Sequence, residues 1–282
     1  MPTTSPGLPT PREEAVHDTI ERIAAAERRR PGGIIAFDAD GTLWSGDVGD
    51  DLFFALVDRA EILPPADTQL RRLGAAYSLD TAGPPGPLAR RIFEAFQAGV
   101  VHEEHLCAML TWVFAGWERG AVRAFAREVL GEGDIASRVQ PEVAPVLAWA
   151  RRQKLPCYVV SASARPVVEL AVEAIGLDPT LVVATSAREA GGVLCAEVEK
   201  PMPYGPGKVQ ALRARTSRHV LAAFGDNVFD LDLLREAEVP VAVRPKPRLC
   251  RRAHELPAMV FLCAEPLDRP FALGESSRHP CP

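Results

Sequence analysis

Ile34-Ile35-Ala36-Phe37-Asp38-Ala39-Asp40-Gly41-Thr42-Leu43-Trp44 passes from four apolar residues straight into two acids, a glycine and a threonine. With Pro31-Gly32-Gly33 before it, the apolar run reads as a strand covered on both faces, as in a parallel sheet. Ligands of such sheets lie off the carboxyl ends of the strands, so Asp38 and Asp40 are expected where chemistry is placed. Spaced by two, they leave the strand on the same side, and Gly41 permits a tight turn. The rival reading is an ordinary acidic turn, because Asp and Gly are common turn residues. The rest of the chain decides between the two.

Upstream, residues 1–10 are rich in Pro, Thr and Ser and are expected to be disordered. Thr10, Pro11 and Glu13 form an N-cap, a first-turn proline and a capping-box partner. They predict a helix with Val16, Ile20, Ile23 and Ala24 on one face, ended by Pro31. Downstream, residues from about 47 to 135 show helical periodicity and no strand. Stripes at Leu52/Phe53/Leu56, Leu88/Ile92/Phe93/Phe96, Leu106/Met109/Leu110/Val113 and Val122/Phe125/Val129 predict a small bundle of four helices, with Thr81–Pro87 as the loop between its halves. From Pro141, helices alternate with apolar runs at Cys157–Ser161, Leu181–Ala184, Val220–Phe224, Val239–Val243 and Met259–Leu262, with a hairpin around Gly191-Gly192. The pattern predicts an α/β fold: a doubly wound, Rossmann-like parallel sheet with a small helical cap domain inserted after the first strand. The expected boundaries are 1–46 and 136–262 for the core, 47–135 for the cap, and 263–282 for a C-terminal tail.

Composition narrows the function classes. The chain has 282 residues, 47% apolar and 24% charged, with Lys+Arg 32 against Asp+Glu 37 and a net charge of -5. No global basic field exists to hold nucleic acid or an anionic membrane, so neither is expected as a partner. No apolar run approaches the roughly 20 residues that span a bilayer, and the N-terminus has no basic-then-apolar signal pattern, so a cytoplasmic location is expected. Six cysteines without a C-x-x-C pair are expected to be reduced, structural thiols.

Polar residues stand at several predicted strand ends. Asp38 and Asp40 follow the first strand, and Ser161 closes the next. Lys208 opens a helix after Tyr204-Gly205-Pro206-Gly207, and Gly225-Asp226-Asn227-Val228-Phe229-Asp230 closes a further strand. Parallel strands put these ends on one edge. Carboxylates so dense repel one another unless a cation sits among them, and oxygen-only ligands beside a phosphate binder suit Mg²⁺. Each residue also has an ordinary reading: Ser161 as a strand-end hydroxyl, Lys208 as a surface helix residue, Asp226 and Asp230 as helix caps.

On Asp38-Ala39-Asp40-Gly41-Thr42, Val159-Val160-Ser161-Ala162-Ser163, Tyr204-Gly205-Pro206-Gly207-Lys208 and Gly225-Asp226-Asn227 with Asp230, the chain resembles the haloacid dehalogenase superfamily, in its phosphoserine-phosphatase-like branch. The resemblance implies hydrolysis of a small soluble phosphorylated metabolite through an aspartyl-phosphate. Asp38 would be the nucleophile and Asp40 the general acid and base. Mg²⁺ would be held by Asp38, Asp226 and the Asp40 carbonyl, with Asp230 in support. Thr42, Ser161, Ala162 and Lys208 would bind the phosphoryl oxygens. A phosphotransferase or phosphomutase shares the first steps. A non-catalytic phosphometabolite-binding protein is opposed by the intact acids, and a dehalogenase by Asp40.

The chain departs from the phosphoserine phosphatase pattern at Phe229, where that branch has Asn, and at Asp47, where it has Glu. Phosphoserine specificity is therefore not implied. Trp44 and Asp47 are candidate specificity residues at the entrance, against the alternative that Trp44 packs the hinge and Asp47 caps a helix. His102-Glu103-Glu104-His105 lacks zinc-protease spacing and reads as a solvated helix start. Arg244, Lys246, Arg248, Arg251 and Arg252 read as a solvated basic face, and the cap aromatics as core.

Overall fold

In the computed structural model, which describes residues 12–263, the strand before Asp38 lies inside a seven-stranded parallel sheet flanked by helices. In chain order the elements begin with β1 (Arg12–Ala15), α1 (Val16–Arg29) and β2 (Ile34–Phe37). Five helices follow: α2 (Val48–Asp58), α3 (Pro64–Ala76), α4 (Pro85–Gln97), α5 (Glu103–Trp112) and α6 (Arg119–Gly133). Next come α7 (Ala144–Arg152), β3 (Cys157–Ala164), α8 (Arg165–Ala174), β4 (Val182–Thr185), the antiparallel hairpin β5 (Ala187–Ala190) and β6 (Val193–Val198), and α9 (Pro206–Arg215). The chain closes with β7 (Val220–Gly225), α10 (Leu231–Arg235), β8 (Ala237–Val243), α11 (Pro247–Arg252) and β9 (Val260–Cys263).

The sheet order is β1-β9-β8-β7-β2-β3-β4. From β2 the chain first winds outward through β3 and β4, then returns to build β7, β8 and β9 on the other side of β2. The order therefore reverses between β2 and β7, and the crevice at such a switch point is where doubly wound sheets bind ligands. All residues of β2 and β7 are buried, as the unbroken apolar runs require, and Phe37 stacks on Phe224 at 4.6 Å between ring centroids.

Two compact units share this chain. One draws on residues up to Trp44, on Val139–Tyr158 and on the chain from Thr216 onward; the other consists of Ser45–Arg138 and Val159–Arg215. The second unit thus takes in β4, the hairpin and α9 besides the five helices after β2, and β3 passes from one unit to the other after Tyr158. Within the second unit Phe53 stacks on Phe93 and Phe114 lies edge-on to Trp117; Phe53, Phe93, Phe114 and Phe125 are buried core, whereas Tyr77 and Trp117 are half-buried.

Several expectations are corrected. Arg12–Ala15 is a strand rather than the first turn of a helix: Glu13 pairs with Phe261 of β9, so an edge ladder outcompetes the capping box. Thr10, Pro11 and residues 1–10 lie outside the described residues, as do 264–282. The helical stretch holds five helices rather than four. α3 was missed because its buried residues, Ala66, Leu70 and Gly74, are mostly small and leave little apolar stripe. Pro85, expected in a loop, starts α4, where a first-turn proline loses no hydrogen bond. Cys107, Cys157 and Cys195 are free, but Cys250 is disulfide-bonded; two sulfurs within bonding reach are not visible in sequence spacing. No helix among the described residues is long and apolar enough to cross a membrane.

Candidate active site

The turn after β2 is closed by its own backbone. Thr42 and Leu43 N–H both donate to the Ala39 carbonyl, at 3.2 and 2.8 Å, and Gly41 N–H donates to the Trp44 carbonyl at 2.9 Å. Gln140, buried, clamps it from outside: its backbone N–H donates to Leu43 O at 2.9 Å and its side-chain amide to Gly41 O at 3.2 Å. Asp38 is 7% exposed, and the Thr42 hydroxyl donates to its Oδ2 at 3.0 Å. Gly41 has φ of 85°, and a Cβ there would overlap Asp226 Oδ2. Glycine is needed here twice, for the left-handed backbone and for the close approach of a carboxylate.

Asp226 and Asp230 occupy the next turn, after β7. Asp230 Oδ2 accepts from Asp226 N–H at 3.1 Å and Asn227 N–H at 2.9 Å, and Asn227 completes a capping box by accepting from the backbone of the following turn. The capping reading therefore holds for Asp230 through one oxygen. The cap fixes the turn that presents Asp226. Carboxylate oxygens of Asp38, Asp226 and Asp230, all buried, lie within 4.8 Å of one another. Three buried carboxylates at this spacing, with oxygen donors only, fit a hard divalent cation such as Mg²⁺.

Lys246, read from sequence as part of a solvated basic face, is instead tied to this cluster. Its Nζ lies 2.9 Å from Asp226 Oδ2, and its N–H donates to the Asp226 carbonyl at 2.7 Å. Burial lowers the pKa of this lysine, but Asp226, then Asp38 and Asp230, outweigh it and leave the pKa raised. Arg244 pairs with the buried Glu142, Arg248 lies over the Phe229 ring and Arg252 pairs with Glu255, so four of the five basic residues have specific partners. The signal was available: Lys246 follows the end of β8, where the strand-end rule already pointed. Gln140 had no such signal, since a lone glutamine in a helix-start segment looks like any other.

The second unit carries the other motif residues. Ser161 is 1% exposed and its Oγ accepts from Ser163 N–H at 3.0 Å; Ala162 O accepts from the Thr185 hydroxyl at 2.7 Å. Lys208, in the first turn of α9, is 3% exposed, which corrects the surface-helix reading. The Cys107 thiol on α5 is pushed up by burial, then by Glu103 and Asp47, with Lys208 acting in the opposite direction, so these charges surround it. Asp47 Oδ1 accepts from Gly49 N–H at 2.8 Å and Asp50 N–H at 3.0 Å and caps α2.

Two of the candidate residues have partners within the turn itself. Trp44 is 0% exposed and its indole N–H donates to Asp40 Oδ1 at 2.8 Å, so it offers no face for a substrate to stack on. Thr42, expected on a phosphoryl group, has its hydroxyl on Asp38, because a buried hydroxyl four residues from a carboxylate satisfies both.

The family model described as haloacid dehalogenase-like hydrolase matches residues 35–235, and the chain belongs to that family. A protein of unknown function from Bordetella pertussis Tohama I shares the fold, at 19% identity and TM-score 0.63, over 82% of this chain and 98% of that one. A functionally unknown protein from Anaerococcus prevotii DSM 20548 matches at 14% identity and TM-score 0.62, over 93% and 94%. A phosphoserine phosphatase in apo form matches at 14% identity and TM-score 0.51, over 83% and 94%. The curated proteins contain no match.

Proposed function

We propose that the protein is a Mg²⁺-dependent phosphomonoesterase acting on a small soluble phosphorylated metabolite through an aspartyl-phosphate. The observation that carries this reading is the buried group of Asp38, Asp226 and Asp230 at the switch point of the sheet, with Asp40 two residues from Asp38. Asp38, Asp226 and Asp230 would hold the ion. When bound, it supplies the positive charge that lets a carboxylate approach a phosphate dianion.

The rest falls to the chain's own residues. Thr42 fixes the orientation of Asp38 through Oδ2, and the Asp38 carboxylate attacks phosphorus. The ester P–O bond breaks and the leaving alkoxide takes a proton from Asp40. Water then attacks the phosphoryl group on Asp38 and gives its proton to Asp40, which restores both acids and releases phosphate. Ser161 and Lys208, both buried, are assigned to the phosphoryl oxygens on the family resemblance.

A screen of phosphorylated metabolites with and without Mg²⁺ tests the reading. Release of phosphate only with the ion is expected, and Asp38→Asn should lower kcat by about four orders of magnitude or more while the protein stays folded. A folded Asp38→Asn protein with substantial activity would end the mechanism.

A further inference from the structure

Trp44 is the largest fully buried side chain, and its polar edge meets the candidate general acid. An indole has one donor and no acceptor. The oxygen it touches, Asp40 Oδ1, must therefore present a lone pair, which the carbonyl oxygen of the protonated acid does better than its hydroxyl, so the O–H is favoured on Oδ2. We propose that Trp44 is the positioning residue for Asp40: it assigns proton delivery to Oδ2 and aims that oxygen at the leaving group. This rests on the phosphomonoesterase reading above and adds to it a residue that the motif itself does not include.

The geometry leaves the pair little freedom. Asp40 and Trp44 form a backbone bridge, Trp44 bridges to Val139, and Gly41 N–H donates to the Trp44 carbonyl at 2.9 Å. The main chain at Trp44 is thus held on two sides, one of them the turn that carries Asp40, and the ring is fully buried. A carboxylate hinged at its Cβ–Cγ bond would otherwise exchange its two oxygens by a half-turn. A hydrogen bond of 2.8 Å to a fully buried ring must break before that exchange can occur. The same seven-residue turn treats its two acids alike, with Thr42 on one oxygen of Asp38 and Trp44 on one oxygen of Asp40, each four residues on.

The test separates positioning from packing by the leaving group. Benzyl phosphate leaves as an alkoxide that needs a proton, whereas 4-nitrophenyl phosphate leaves as a stable phenolate that does not. Two replacements remove the donor: Trp44→Phe, and benzothienylalanine at position 44, which keeps the bicyclic shape with sulfur in place of N–H. In both, kcat/KM for benzyl phosphate should fall about tenfold, a fraction of what general acid catalysis supplies, and that for 4-nitrophenyl phosphate by less than about twofold. Equal losses on both esters, or no loss on either, overturns the proposal; if only Trp44→Phe misfolds, the isosteric replacement decides. Asp38→Asn is run alongside. If it hydrolyses the esters as the unaltered protein does, Asp38 is not the nucleophile and the aspartyl-phosphate reading itself has failed. If it is inactive while the position-44 proteins show no leaving-group effect, only the role of Trp44 has failed.

Discussion

The turn that carries Asp38 and the helices that follow it are held by different kinds of contact. Between Asp38 and Trp44 nearly every polar atom named above is fixed by backbone or by a buried side chain, and Gly41 leaves no room for a methyl group. From α2 to α6 the apolar faces pack, but these charged groups meet near the surface: Arg90 with Asp58 at 2.6 Å and Arg59 with Glu128 at 3.0 Å, the two acids largely solvated. Charges that must be placed to fractions of an ångström are held by short covalent paths and low-dielectric contacts. Charges that need only keep a surface soluble are left where water screens them.

The contrast is sharpened first at the metal-binding acids. Asp226→Asn should weaken Mg²⁺ binding by at least about tenfold, measured by calorimetry on the protein without substrate, because a buried anion is lost from the donor set. Unchanged affinity would remove Asp226 from that set. A matched pair of glycines gives the next effect. Gly41 and Gly83 have φ of 85° and 91°, but a Cβ meets Asp226 at the former and nothing within 4 Å at the latter. Both changes to Ala should cost about 1–2 kcal/mol for the left-handed backbone. Gly41→Ala alone should also weaken Mg²⁺ binding, by displacing a carboxylate. If the two variants behave alike in melting and in calorimetry, the turn is no more constrained than the helical segment. The smallest effect is expected at Arg90→Gln, below about 1 kcal/mol in urea unfolding, since both partners of its ion pair are well exposed. A larger loss would show that surface pairs do hold the helices.

The doubly wound sheet, the helical stretch after β2 and the buried group of Asp38, Asp226 and Asp230 were legible in the sequence. Period and strand-end position are local properties that buried parallel strands must carry. What could not be read was which partner each polar group would choose. Arg12–Ala15 carries Glu13, the expected capping-box partner of Thr10, and is a strand, because β9 arrives from almost the other end of the chain to pair with it. Lys246 looked like surface charge and lies on Asp226; Thr42 looked like a phosphate ligand and has its hydroxyl on Asp38; Trp44 looked like a stacking platform and is sealed into the core on Asp40. Residue type states what a side chain can do. Burial, and the groups that remote parts of the chain bring within about 3 Å, decide what it does, because a hydrogen bond or ion pair is settled by distances no sequence spacing records.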